Sequence, residues 1–195
     1  MSVVTNFSDL DLNKTYTYAD YLNWQFQERV ELIKGFIKKM SPAPSRRHQI
    51  VSLNLSVVFY NAFQKSHCSV YVAPFDVRLP IPNKTKNTTV VQPDICIICD
   101  ESKLDDKGCN GTPDLIVEII SAGNAKHDAD TKFKLYEEAG VKEYWMVYPE
   151  VKNIFLYYLS HQQYIGTKPF TEGEILQSKT FPDLKIPVDD IFEKI

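Results

Sequence analysis

Gly111-Thr112-Pro113-Asp114-Leu115-Ile116-Val117-Glu118-Ile119-Ile120-Ser121 is the stretch on which the fold turns. Five of the six residues from Leu115 to Ile120 are apolar, and the exception is Glu118. A short apolar run bounded by Gly-Thr-Pro-Asp and by Ser-Ala-Gly reads as a strand buried on both faces. An ionised carboxylate inside such a strand loses its hydration, so it needs a partner or a proton. A cation, a salt bridge and a protonated acid each meet that need, and the pattern leaves all three open.

Downstream, Ser121-Ala122-Gly123-Asn124 is a turn-rich link, and Asp128 is placed to cap a helix that stops at Gly140. Phe133, Leu135, Tyr136 and Ala139 form its apolar face. Lys142 to Tyr148 reads as the next strand, so the segment from Asp114 to Tyr148 predicts a right-handed crossover to a parallel strand. The short Pro149–Lys152 link then predicts an antiparallel partner over Asn153 to Leu159. Gln163 to Ile165, and Leu184 with Ile186, read as edge strands, and Val188 to Glu193 as a short terminal helix.

Upstream, Ser69 to Leu79 and Thr88 to Cys99 read as strands, joined by a polar connection from Pro80 to Asn87. Asp100 to Asn110 is a second, charged connection. Ser45 is a cap for a helix running to about Lys65, with Ile50, Leu53, Asn54, Val57, Val58 and Ala62, most of them apolar, at helical spacing. Val30 to Met40 suggests a hairpin about Lys34-Gly35, closed by Ser41-Pro42-Ala43-Pro44. Thr17 and Asp20 resemble a capping box for a helix through about Trp24. Residues 1–14 read as a loose leader and 15–195 as a single domain. The expected class is α/β, a mixed central sheet flanked by helices.

With 44% hydrophobic and 24% charged residues, the composition is that of an ordinary globular chain. A net charge of −3 excludes a strong unspecific pull on nucleic acid, while leaving room for a local basic patch. No apolar run approaches ~20 residues, so no membrane span is expected. The N-terminal residues carry no secretory pattern, which makes a cytoplasmic location the default. Cys96 and Cys99 have a metal-like spacing, but residues three apart on a strand face opposite ways, so all four cysteines are expected as reduced thiols.

Asp94 follows Pro93 where the apolar run Ile95-Cys96-Ile97-Ile98 begins. If its strand pairs with that of Glu118, two carboxylates converge, because neighbouring strands lie ~4.8 Å apart. Adjacent carboxylates repel unless a proton or a cation intervenes, and an all-oxygen pair suits magnesium or manganese. Lys132, about one turn into the following helix, could reach back toward the carboxylates, and a lysine there is suited to stabilising developing negative charge or orienting the attacking water. Each residue also has a plainer reading: Asp94 as a strand-start acid, Glu118 as half of a buried salt bridge, Lys132 as a solvated lysine. Glu31 from the hairpin and His48 from the long helix are supporting candidates. Asp114 competes as a second Pro-Asp acid, though its position favours a turn role. Asp76 is expected to pair with Arg78 or to face solvent.

Val91-Gln92-Pro93-Asp94-Ile95, Thr112 to Ser121 and Gly140 to Pro149 together resemble the Uma-two family of the PD-(D/E)XK nuclease superfamily. Glu31-Leu32-Ile33-Lys34-Gly35, and Met40 to Pro44 leading to His48, agree, and the likeness runs from about Thr15 to Ile191. It implies a restriction-endonuclease-like core and a magnesium-dependent phosphodiesterase, with manganese as a substitute. Asp94 and Glu118 match the metal-binding acids. The plain superfamily motif places its lysine two residues after the second acid, where this chain has Ile120; the family implies Lys132 in that role.

The resulting expectation is a metal-dependent DNA endonuclease with Asp94, Glu118 and Lys132 as catalytic residues and Glu31 and His48 in support. Lys38, Lys39, Arg46 and Arg47 are candidates for phosphate contact. Nucleases that cut both strands often dimerise, so a homodimer belongs to this expectation. The competing expectation is a catalytically inactive DNA-binding or interaction module on the same fold. A hydrolase of RNA or of a small phosphate ester would share the same chemistry.

Overall fold

Local signals set the first elements. The Thr17 hydroxyl accepts from the Asp20 amide while the Asp20 carboxylate accepts from the Thr17 amide, closing a capping box over α1 (Tyr18–Tyr21). β1 (Val30–Ile33) and β2 (Phe36–Lys39) pair antiparallel around Lys34 and Gly35, at φ 54° and 94°. That left-handed backbone is what a two-residue hairpin turn demands. The Ser45 hydroxyl accepts from the His48 amide and caps α2 (Arg46–Phe63). The structure is a computed structural model that describes residues 3–40, 43–82, 87–121 and 125–195, without the side chains of 125–128. Ser41-Pro42, the 83–86 part of the polar connection and the 122–124 link lie outside the described residues, and the helix expected to be capped by Asp128 begins instead at Ala125.

The two long strands expected over Ser69–Leu79 and Thr88–Cys99 are each broken in two. β3 (Ser69–Val72) and β4 (Val77–Arg78) flank Pro74, and β5 (Val90–Val91) and β6 (Ile95–Ile98) flank Pro93. Proline has no N–H for a ladder, so pairing stops there and the chain crosses between sheets. β7 (Leu104–Asp105) and β8 (Gly108–Asn110) form a small hairpin inside the charged connection. Then follow β9 (Leu115–Ile119), α3 (Ala125–Ala139), β10 (Glu143–Tyr148), β11 (Asn153–Ser160), β12 (Gln163–Gly166), β13 (Ile175–Gln177), β14 (Lys185–Pro187) and α4 (Val188–Ile191).

One six-stranded sheet runs β12-β11-β10-β9-β6-β3, another β2-β1-β5-β4-β8-β7, and β13 pairs with β14. In the first sheet β9 and β10 are parallel, joined across α3, and the other neighbours are antiparallel. The α/β class with a mixed sheet and flanking helices is therefore observed. Leu115, Val117 and Ile119 pack into one core with Val51, Leu55 and Phe59 of α2. Ile116 packs on the opposite face with Leu135, Tyr136 and Ala139 of α3. Each fully buried aliphatic side chain contributes about 1.5–3 kcal/mol, so β9 is held from both sides.

Val4 bridges Trp24, and the Phe7 ring meets Phe26 edge-on, 5.6 Å between centroids. One expectation is corrected, that all four cysteines are reduced thiols. Cys68 and Cys99 form a disulfide, while Cys96 and Cys109 are buried free thiols. The alternation along β6 did separate Cys96 from Cys99, but the register of β3 against β6 brings Cys68 opposite Cys99. Among the described residues no helix is long and apolar enough to cross a membrane.

Candidate active site

β6 and β9 pair with Ile95 opposite Val117 and Cys96 opposite Ile116. One step further along this ladder Asp94 faces Glu118, and directly opposed residues project from the same side of a sheet. That side is the one covered by α3. Asp94 Oδ2 accepts from the Ile119 amide at 2.7 Å, and Oδ1 lies 3.2 Å from His48 Nε2, which comes from the first turn of α2.

Lys132 and Tyr136 are four residues apart on α3 and therefore share a face. The Lys132 ammonium donates to Glu118 Oε1 at 2.9 Å, and the Tyr136 hydroxyl donates to the same oxygen at 2.6 Å. Lys132 Nζ also lies 3.0 Å from Glu31 Oε1, which accepts from the Gln92 amide at 2.9 Å. Gln92 belongs to the short link that carries the chain from one sheet to the other. That link is what brings Glu31, on the second sheet, to the acids of the first.

Burial pushes the Glu118 carboxyl up to about 7; Lys132 opposes this, Asp94 and Glu31 add to it, and the Tyr136 hydrogen bond opposes it. Burial pulls the Lys132 ammonium down, but the charges of Glu118 and Glu31 outweigh it and leave the pKa above that of an ordinary lysine. For His48, too, burial lowers the pKa and the contact with Asp94 outweighs it, so the ring is shifted toward its protonated form. Among the described residues His48 Nδ1 is buried without a hydrogen-bond partner.

These groups line a cleft of about 160 Å³, with Ile119, Ile120 and Tyr144 as apolar wall. Exposed Arg29 and Lys39 and half-buried Lys38 complete the lining. Glu31, Asp94, Glu118, Lys132 and His48 thus share one cavity. Arg46 and Arg47 do not line it, and Arg47 pairs with Glu150.

Other acids are fully used elsewhere. Asp114 pairs with Lys142 at 2.6 Å and accepts from the Cys99 amide at 2.8 Å, fixing the start of β9. Glu143, fully buried, accepts from Trp145 Nε1, the Ser178 hydroxyl and the amides of Lys179 and Thr180. Asp76 accepts from Gln92 Nε2 at 2.8 Å and from the Tyr21 hydroxyl, and Arg78 pairs with Asp105 instead, so the expected Asp76–Arg78 pair is corrected. β4 directs Arg78 inward, where the β7–β8 hairpin supplies its acid.

The donor set is all oxygen: Asp94, Glu118 and Glu31 set against one ammonium and one imidazole. That charge surplus and the raised Glu118 pKa fit a hard divalent cation. Among the described residues the three acids do not bring oxygens within 4.8 Å of one another, because Lys132 stands between Glu31 and Glu118. Asp94 and Glu118 are the two acids that could hold such an ion.

Tyr136, Gln92 and Arg29 were not singled out in the sequence. Tyr136 was legible only as part of an apolar face, although its i+4 relation to Lys132 is a signal that would have found it.

A family model named Uma2 and described as "Putative restriction endonuclease" matches residues 18–189. The uncharacterized protein slr1290 of Synechocystis sp. is 29% identical over 142 residues, covering 71% of this chain and 72% of that protein. The uncharacterized protein sll1609 of the same organism is 27% identical over 168 residues, covering 84% and 89%. A crystal structure described as "a putative nuclease belonging to DUF820", from Anabaena variabilis, superposes with TM-score 0.70 at 16% identity, covering 91% of this chain and 97% of that one. At that identity the superposition shows a shared restriction-endonuclease-like fold.

Proposed function

Since the chain belongs to the Uma2 family, we propose that it is a metal-dependent endonuclease that hydrolyses DNA phosphodiester bonds. The observation that carries this reading is the Lys132–Glu118 ion pair, 2.9 Å, set beside Asp94 in one cleft. Asp94 and Glu118 would hold magnesium, or manganese in its place. Held there, such an ion would supply polarisation of a phosphoryl oxygen and a lowered pKa for an attacking water.

The chain's own residues orient and stabilise. The Ile119 amide and the Tyr136 hydroxyl each fix one oxygen of an acid, so both carboxylates are held before substrate arrives. Lys132, kept charged by Glu118 and Glu31, presents its ammonium to the charge that builds on the phosphoryl group. The apolar wall lowers the local dielectric and strengthens that interaction. Arg29, Lys38 and Lys39 contact flanking phosphates, which makes binding weaken steeply with salt. A cytoplasmic location and a homodimer that cuts both strands accompany this reading.

Incubation of supercoiled plasmid with the protein and magnesium or manganese tests it. Nicked or linear product is expected from the wild type, and none from Asp94→Ala, Glu118→Ala or Lys132→Met. Absence of cleavage with every divalent metal, or equal cleavage by Glu118→Ala, rejects it. Two observations favour a second reading, a binding module without turnover. Ile120 occupies the lysine position of the plain motif, and Lys132 is engaged by two carboxylates. That version predicts DNA retention in a mobility-shift assay with intact plasmid under all metals.

A further inference from the structure

We propose that His67, Cys68 and Cys99 form a redox-gated binding site for a thiophilic cation, zinc being the ion that fits, at the end of β6 remote from Asp94. Cys68 precedes β3 and Cys99 follows β6, and the ladder ends with Ser69 opposite Ile98, so the two cysteines oppose each other. His67 Nε2 lies 3.7 Å from Cys68 Sγ, and one ligand atom from each of the three residues falls within 4.8 Å of the others. Two thiolates and one imidazole are a common zinc ligand set, with the fourth position left to water.

The spacing is set by the backbone as well as by the S–S bond. The Ser66 hydroxyl accepts from the Cys68 amide at 3.1 Å and donates to the Phe63 carbonyl at 2.9 Å, and the Cys99 amide donates to Asp114 at 2.8 Å. Opening the disulfide therefore leaves both sulfurs near each other. His67 is exposed, which gives the ion an entry. Cys96 is buried on the other face, and burial pushes its thiol well above the ordinary value, so it does not compete. Asp94 lies five residues away along an extended segment, on the order of 17 Å, so this centre is separate from the cleft.

The chemistry balances with a dithiol reductant. It delivers two electrons to the Cys68–Cys99 bond, which breaks, and is itself oxidised to a disulfide. Each freed thiol loses its proton to solvent as it ligates the metal, and His67 contributes a neutral nitrogen lone pair. In the oxidised state no thiolate exists and the site is closed. A reducing compartment opens it.

The test uses the full chain, reduced with dithiothreitol, desalted without oxygen and titrated with cobalt(II), then with zinc. One equivalent of cobalt should produce a thiolate-to-cobalt charge-transfer band with tetrahedral ligand-field absorption, bleached by zinc. The disulfide form and Cys68→Ser and Cys99→Ser should lack the band. His67→Ala, which keeps both cysteines and the disulfide, should bind cobalt at least tenfold more weakly. Cys96→Ser should titrate like wild type. No thiolate band in the reduced protein, a band retained in Cys68→Ser, or unchanged affinity in His67→Ala would overturn the proposal. None of these readouts depends on nuclease activity.

Discussion

The Tyr136 hydroxyl donates to Glu118 at 2.6 Å, from a ring with no solvent exposure. A hydrogen bond to a charged, buried acceptor is worth about 1.5–3 kcal/mol. Tyr136→Phe keeps the ring contacts with Tyr144 and removes only the donor. Its unfolding free energy should fall by about that amount at pH 8, as read from urea denaturation. A change under a few tenths of a kcal/mol would mean that water or Lys132 replaces the hydroxyl at no loss.

Lys132→Met removes the cation that both Glu31 and Glu118 share. Breaking a buried pair strands its partners and costs about 3–5 kcal/mol. Glu118 can escape by taking a proton, so the destabilisation should be large at pH 8 and smaller at pH 5. Parallel denaturation curves at the two pH values decide the matter. An equal loss at both would show that packing, and not charge, explains the effect.

Glu118 also imposes a pH dependence. Its folded pKa of about 7 stands above the ordinary value of 4.5, because burial disfavours the ionised form. Between those values the folded state binds more protons than the unfolded state, so this group's stabilisation is full below pH 4.5 and is lost as pH rises through 7. The span corresponds to something on the order of 3 kcal/mol. His48, also raised, slopes in the same direction, so the comparison is between wild type and Glu118→Gln. Stability of the variant should decline less between pH 5 and pH 8; identical pH profiles would contradict the shift.

Gly108 sits at φ 123°, and a Cβ built there would lie 2.2 Å from the Asp76 carbonyl oxygen. Neither the left-handed backbone nor the rigid neighbour can yield cheaply. Gly108→Ala should lose about 3 kcal/mol or more and lower Tm by on the order of 10 °C. Asp76 holds the side chain of Gln92, whose amide holds Glu31, so this strain should also loosen the cleft. A Tm within two or three degrees of wild type, measured by calorimetry, would refute this.

Much of the architecture was legible because its signals are local. Thr17 with Asp20, Ser45, and Lys34-Gly35 specify caps and a turn through bonds within a few residues. The parallel placement of β9 and β10 followed from an apolar run, a helix and a second apolar run. Pro74 and Pro93 were visible too. What they do, which is to send the chain from one sheet to the other, depends on where free strand edges lie, and that is not a local property.

The chain's order of residues by itself determined which side chains are anomalous: a glutamate inside an apolar strand, an aspartate at the start of another, a lysine one turn into the next helix. Only the tertiary structure decided their company. The register of β6 on β9 sets Asp94 against Glu118, the crossing of the Gln92–Pro93 link adds Glu31, and the rotation of α3 aims Lys132 and Tyr136 at one carboxylate oxygen. The same holds for Cys68 and Cys99, 31 residues apart, which meet through the pairing of β3 with β6. Alternation tells which face a residue takes; only pairing between distant strands tells what it meets there.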